Sequence, residues 1–299
     1  MRDPIAARAP LLFLLLAFAV APMRAAAQDA LALRARHEAL LERLAHNQFH
    51  RRMVLESTQT NATLKGDVYT VVAQSYSTVN RALREMNRWC DILLLHLNVK
   101  SCMAKGRDAA STLSLRVGRR FDQPLADAYP LDFVYRVAAD TPDYLQVLLG
   151  AEQGPLDTKN YSVVVEAVAL DASNTFVHLS YSYTYGLLTR VAMQSYLRTI
   201  GRNKVGFSIV DRKADGTPVF IGGTRGVIER NAMRYYLAIE AYLGALDVPA
   251  AQQPEKRLRD WFDAIERYPQ QLHEMEREEY LSMKRLELAR QKSSAGRLH

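Results

Sequence analysis

The segment Gly222-Gly-Thr-Arg-Gly226 runs directly into an apolar-periodic stretch, and its residue types suit the binding of an anion. Free amides at a helix N-terminus attract negative charge, and a guanidinium beside them can grip a phosphate or carboxylate through paired N–H groups. Arg230 and Arg234 follow one turn apart and can converge on the same anion, so Gly223, Arg225, Arg230 and Arg234 form a candidate anion-binding set. A structural reading competes with it. Glycine permits tight packing at a strand-to-helix turn, and Glu229, Arg230, Asn231 and Arg234 could instead tie the helix to a sheet. The motif is neither a P-loop nor a full dinucleotide-binding fingerprint.

Histidines offer further chemistry. His178 and Glu166 share a polar face if the hairpin that carries them pairs Asp171 with Thr175, and a one-residue slip separates them. A general base needs in addition a cleft and a second partner, which the sequence does not supply. Glu38, Glu42, His46 and His50 fall at four-residue steps, so that two imidazoles could meet on a metal ion, or the four could form a solvated stripe of Glu–His pairs. Neither a nucleophile elbow nor a zinc-protease motif occurs. No catalytic residue, cofactor or metal is assigned on this basis. Cys90 and Cys102 are the two cysteines, and a bridge between them would stabilise the chain by about 3 kcal/mol through loop closure. Two buried free thiols are the alternative.

The elements that must position these groups are read from periodicity. Tyr161 to Leu170 and Phe176 to Tyr185 alternate in period two around an Asp171–Asn174 turn, which predicts a long antiparallel hairpin. Val177, Leu179, Tyr181, Tyr183 and Tyr185 then share one face and His178 the other. Three tyrosines in a row make an apolar face with hydrogen-bonding tips, suited to a core wall or a ligand cavity. Earlier, Leu113, Leu115, Val117 and Phe121 alternate with Arg119 among them, an inward-pointing charge that either packs its stem at a rim or meets an anionic group. Leu131–Ala138 and Tyr144–Leu149 form another hairpin. Leu115, Val117, Arg119, Phe133, Tyr135, Leu179, Tyr181, Tyr183 and Tyr185 are the candidate ligand-binding residues.

Flanking these strands, residues 30–56 read as an amphipathic helix, Leu64–Ala73 as a strand, and Val79 to Cys90 as the apolar face of one helix. Leu187 to Gly201 returns to helical spacing, and a hairpin turning at Asp215-Gly216 precedes a helix over Val227–Leu243. The tail beyond Pro249 is helical and densely charged, with Trp261, Phe262 and Ile265 on an apolar face. Arg2 and Arg8, the apolar run Leu11–Val20 and Ala25-Ala26-Ala27 make a secretory signal with cleavage near Ala27, so a periplasmic or secreted location is expected. The chain carries a net charge of +7 with both signs interleaved, which does not argue for nucleic acid.

The order strand, helix, antiparallel meander, covering helix, starting at Leu64, resembles the START and Bet v 1-like helix-grip (SRPBCC-type) superfamily over about residues 64–245. The fold class expected is therefore α+β, a curved antiparallel sheet gripped by a long helix. Residues 1–27 would be the signal, 28–63 an N-terminal helix and 246–299 a charged helical extension. The resemblance implies a cavity between sheet and helix that holds a sterol, phospholipid or other apolar molecule. Since Leu187–Gly201 and an extra hairpin intervene, either helix could close it. The leading expectation is an exported carrier or binding protein for a hydrophobic small molecule or lipid. An enzyme using Arg119, His178 or Arg230 at the cavity is the alternative. A third reading is an envelope protein whose helical tail contacts a membrane or a partner protein.

Overall fold

A computed structural model describes residues 14–106, 111–186 and 204–295, with side chains placed between 26 and 293. The expected helix Leu187–Gly201 lies outside these residues. Helix α1 (Leu14–Ala45) leads into strands β1 (Met53–Gln59) and β2 (Thr63–Val72). Helices α2 (Tyr76–Leu83) and α3 (Met86–Leu93) follow, and then strands β3 (Val99–Lys105), β4 (Thr112–Val117), β5 (Tyr129–Asp140), β6 (Tyr144–Gln153), β7 (Thr158–Ala169) and β8 (Thr175–Tyr185). A small hairpin, β9 (Ile209–Arg212) and β10 (Pro218–Phe220), precedes α4 (Gly223–Leu243), α5 (Gln253–Glu266), α6 (Pro269–Leu272) and α7 (Arg277–Ala295).

Eight strands form one antiparallel sheet in the order β1-β2-β8-β7-β6-β5-β4-β3. The β3-to-β8 meander follows from short connections between successive strands, and β2 closes onto β8 with Val68 opposite Leu179. The chain is α+β, as its pattern of elements predicts. Helix α4 crosses the inner face over β1, β2 and β8, and α5 packs on α4. Alternate residues of β8, Val177, Leu179, Tyr181, Tyr183 and Tyr185, enter this inner core together with Leu115, Phe133 and Tyr135, as the period-two pattern requires. The opposite face is also covered. Ala30, Leu33, Leu40 and Leu44 of α1 bury Val54, Tyr69, Tyr144, Val168 and Phe176 there, so β2 and β8 are buried on both sides.

Several expectations are corrected. The helix over 30–56 stops at Ala45, and residues 53–59 are a strand whose partner, β2, supplies the ladder that its own pattern does not announce. The single helix through Val79 and Cys90 is two, broken at Arg84-Glu85, with Ser75 as the N-cap of α2 accepting from the Thr78 amide. Val99–Lys105, which the periodicity did not bring out, is an edge strand. The strand carrying Leu113 ends at Val117, so Arg119 does not point inward. It is exposed, its amide donates to Gln123 Oε1, and its guanidinium lies 5.7 Å from the Phe121 ring centre. The stripe of Glu38, Glu42, His46 and His50 is cut by the end of α1, and His46 pairs with Glu42 at 3.0 Å in solvent.

The tail is part of the fold. Leu258, Trp261, Phe262, Leu272, Met275, Tyr280, Leu281 and Met283 join the inner core. Helix α7 is fastened by a buried charge cluster. Glu287 accepts from Lys100 at 3.0 Å and from Lys284 at 2.7 Å, while Lys284 also serves the His96 and Val99 carbonyls and Tyr280 OH the Leu95 carbonyl. Cys90 and Cys102 are bridged, tying α3 to β3.

Candidate functional site

The Glu166–His178 pair is directly cross-strand, because Ala169 opposes Thr175; this is a two-residue offset from the 171–175 pairing and keeps both on one face. That face is the outer one, under α1. His178 Nδ1 lies 2.8 Å from Glu166 Oε2 and Nε2 lies 2.9 Å from Asp67 Oδ1, with the ring stacked on Tyr69 at 4.3 Å. Burial works against a charged imidazole, but the bonds to Asp67 and Glu166 outweigh it and raise the His178 pKa. The same bonds, against burial, hold both carboxylates below their ordinary values. Glu166 further accepts from Tyr144 OH at 2.6 Å. An imidazole with both ring nitrogens engaged by carboxylates has no free lone pair with which to act as a base. The cluster ties β2, β8, β7 and β6 together.

At the start of α4 the predicted anion set is drawn into local structure. Gly223 has φ +63, a left-handed conformation that glycine adopts without strain. Arg225 donates to the Ser57 carbonyl and hydroxyl, Arg230 to the Val205 carbonyl, and Arg234 to the Leu272 carbonyl and Glu274. The residue that organises this corner belongs to the group that the competing structural reading named as a tie between helix and sheet. Glu229, 0% exposed, accepts from Ser57 Oγ, Ser208 Oγ and the Phe207 and Ser208 amides, which fixes the chain before β9 against α4. Arg119, His178 and Arg230 thus occupy three places: an exposed loop, the outer sheet face and the buried side of α4.

Between the sheet and α4 lies an aromatic cluster. Tyr181 is 5.1 Å from Tyr235 of α4, 5.8 Å from Tyr183 and 6.2 Å from Tyr161 (ring centres), and Tyr161 meets Phe133 edge-on at 6.3 Å. The row continues from Tyr235 to His96 at 5.0 Å, and from His96 to Trp261 at 6.4 Å. Neither Tyr235 nor His96 was singled out from sequence, since helical spacing alone does not tell a core tyrosine from a lining one.

Within this cluster the Tyr161 hydroxyl lies 2.8 Å from Thr158 Oγ1, and the other hydroxyls differ from it. Buried tyrosine hydroxyls normally find a partner, and Tyr76, Tyr135, Tyr144, Tyr236 and Tyr280 do so here. The hydroxyls of Tyr181, Tyr183 and Tyr235 have no hydrogen bond among the described residues. Burial pushes the pKa of all three upward, so they remain neutral donors. Of the other candidate lining residues, Leu115, Phe133 and Leu179 are buried beside them, Val117 packs against the same core, Tyr135 OH donates to the Arg84 carbonyl, and Tyr185 OH accepts from Gln59. Open clefts among the described residues lie elsewhere, one of about 510 Å³ bordered by Gln74, Thr78, Arg81 and Arg88. No group of His, Cys, Asp and Glu suited to a metal occurs among the described residues.

No protein-family model and no curated protein matches the chain. Solved structures similar to it include a conserved protein from Geobacillus kaustophilus, at 16% identity and a TM-score of 0.31, covering 46% of this chain and 86% of that one. A START superfamily protein from Mycobacterium smegmatis gives 13% identity and a TM-score of 0.32, with coverages of 48% and 93%. Norcoclaurine synthase from Thalictrum flavum, in complex with dopamine and hydroxybenzaldehyde, gives 15% and 0.32, with coverages of 50% and 80%. The fold itself is read from this chain's own topology. A strand, two short helices, a six-strand meander closing on the first strand, and a long helix across the inner face make the START and Bet v 1-like helix-grip arrangement.

Proposed function

We propose that the protein is an exported carrier or binding protein that holds a hydrophobic small molecule or lipid between sheet and long helix, with the tyrosine face as wall. The observation that carries this reading is the set of hydroxyls on Tyr181, Tyr183 and Tyr235. They are neutral and without a hydrogen bond among the described residues, on an aromatic cluster between sheet and helix, whereas the hydroxyls of Tyr76, Tyr135, Tyr144, Tyr236 and Tyr280 are hydrogen-bonded. Apolar walls with a few convergent polar tips are the usual lining of a small-molecule site. The export element rests on the N-terminal sequence. Cleavage after Ala27 would leave Gln28–Ala45, which still carries Ala30, Leu33, Leu40 and Leu44 to cover the outer face. No helix among the described residues is long and apolar enough to cross a membrane.

The test is a titration of the purified protein with a neutral apolar dye such as N-phenyl-1-naphthylamine. Saturable fluorescence enhancement that a long-chain alcohol displaces is expected. A response that stays linear in protein concentration, as for dye adsorbing weakly to any surface, would overturn the reading.

A further inference from the structure

The cleft of about 510 Å³ shares no residue with the tyrosine cluster. Gln74 and Ser75, on the chain that leaves β2, line it together with Thr78 and Arg81 of α2, Arg88 of α3, and Leu246 and Asp247 beyond the end of α4. Its size is that of a small-molecule site. All of these residues except Leu246 are polar, so the cleft suits a hydrated, polar ligand rather than the apolar one that the tyrosine face would hold.

The arginines of this cleft differ from those around it. Arg51 pairs with Glu240, Arg84 with Asp140 at 3.4 Å and Glu85 at 3.6 Å, and Arg257 with Asp91 at 2.8 Å. Arg81 and Arg88 make no ion pair among the described residues, and neither does Asp247, the one acidic residue of the lining. Arg88 is half-buried and is held by a neutral group, its Nη1 donating to the Arg81 carbonyl at 2.9 Å. A guanidinium carries more N–H groups than this bond uses, so donors remain for a ligand. The hydroxyls of Ser75 and Thr78, 3.0 Å apart, border the same space.

These groups select an anion by charge and shape. Two guanidinium groups lining one cleft are best met by an anion of about two charges, and a phosphate monoester has that charge at neutral pH. Its terminal oxygens can accept from both arginines and from a hydroxyl at once, whereas a carboxylate, with a single charge, is satisfied by one arginine.

We propose that this cleft is a second binding site, for a phosphate monoester whose oxygens meet Arg81, Arg88 and the Ser75 and Thr78 hydroxyls. The ester is carried by a soluble molecule or by a lipid head group, and the chemistry that binds it is the same. The site is independent of the space between sheet and α4, so either reading can fail without the other.

The experiment titrates the purified protein with glycerol 3-phosphate, acetate and glycerol by calorimetry at low and high salt, and sediments it with phosphatidylcholine vesicles with and without phosphatidate. Saturable binding of glycerol 3-phosphate, about tenfold or more tighter than acetate or glycerol and weakened by salt, is expected for a soluble ester. Sedimentation that needs phosphatidate is expected for a lipid head group. Arg81→Met and Arg88→Met should each weaken the phosphate ligand about tenfold. Asp247→Asn removes the acidic residue of the lining and should tighten it several-fold, an effect that loss of folding cannot imitate. Arg84→Met, whose charge is paired outside the cleft, should leave binding unchanged. Absence of both glycerol 3-phosphate binding and phosphatidate-dependent sedimentation would overturn the proposal. Acetate binding as tightly as glycerol 3-phosphate, or phosphate binding that survives Arg81→Met and Arg88→Met, would overturn it as well.

Discussion

Replacing Glu229 is the sharpest structural perturbation available near the site. Its Oε2 accepts the Phe207 amide at 2.6 Å and the Ser208 amide at 2.8 Å, and its Oε1 accepts Ser57 Oγ at 2.5 Å and Ser208 Oγ at 2.7 Å. In Glu229→Ala the two hydroxyls can rotate toward other acceptors, but the two amides cannot move. An orphaned buried N–H costs about 1–3 kcal/mol, so with the lost packing the variant should be destabilised by about 3–5 kcal/mol. Glu229→Gln keeps one oxygen for the amides and offers its NH2 to the hydroxyls, which can turn to accept. It forfeits only the charge-assisted part, about 1 kcal/mol. Urea unfolding followed by circular dichroism, with an unchanged m-value, reads both numbers. If both variants unfold within 0.5 kcal/mol of wild type (about the error of the method), or if they are equal to each other, the reasoning about this carboxylate is wrong.

Other perturbations test the frame around the site. The folded pKa of His178 is raised, so its contribution to stability is complete below its ordinary value near 6.5 and disappears as pH rises through the higher folded value. The depressed Asp67 and Glu166 contribute above their ordinary 3.8 and 4.5, and that contribution goes as pH falls through their folded values. His178→Gln should therefore cost more at pH 6 than at pH 9; a pH-independent cost would remove the ion-triad account. Glu287→Ala leaves the Lys100 and Lys284 ammonium groups, each about 1% exposed, without their carboxylate. A loss of about 3–5 kcal/mol is expected, and one below about 1 kcal/mol would contradict a buried cluster. Reducing Cys90–Cys102 should lower stability by about 3 kcal/mol, whereas two titratable thiols in the unfolded, unreduced protein would show that the bridge does not form.

The inner sheet face was legible from sequence because it depends on period two alone: Val177 to Tyr185 alternate cleanly, and no tertiary information is needed to put the tyrosines together. Strands β1 and β3 were not legible for the opposite reason. Met53–Gln59 follows a helix and contains Glu56, and Val99–Lys105 carries Lys100, so each owes its strand state to the partner it pairs with. Charge misled in the same way. Lys100, Lys284 and Glu287 look like solvated residues until the fold pairs them in the interior. Arg119 looked inward-pointing because the alternation was extended past Val117, where Gly118 and the Gln123 contact turn the chain out of the sheet. His96 has no sequence signal at all; only its place in the fold brings it forward, its ring 5.0 Å from that of Tyr235 and its Nε2 without a hydrogen bond among the described residues.

The central claim is that the space between sheet and α4 holds a hydrophobic molecule. The most direct measurement is native mass spectrometry of the protein purified without detergent, before and after organic extraction, with the extract analysed in parallel. The account predicts a discrete added mass that extraction removes, matched by a lipid or lipid-like molecule in the extract. A protein that shows only its own mass, and whose extracted form takes up no lipid when it is offered, would contradict it.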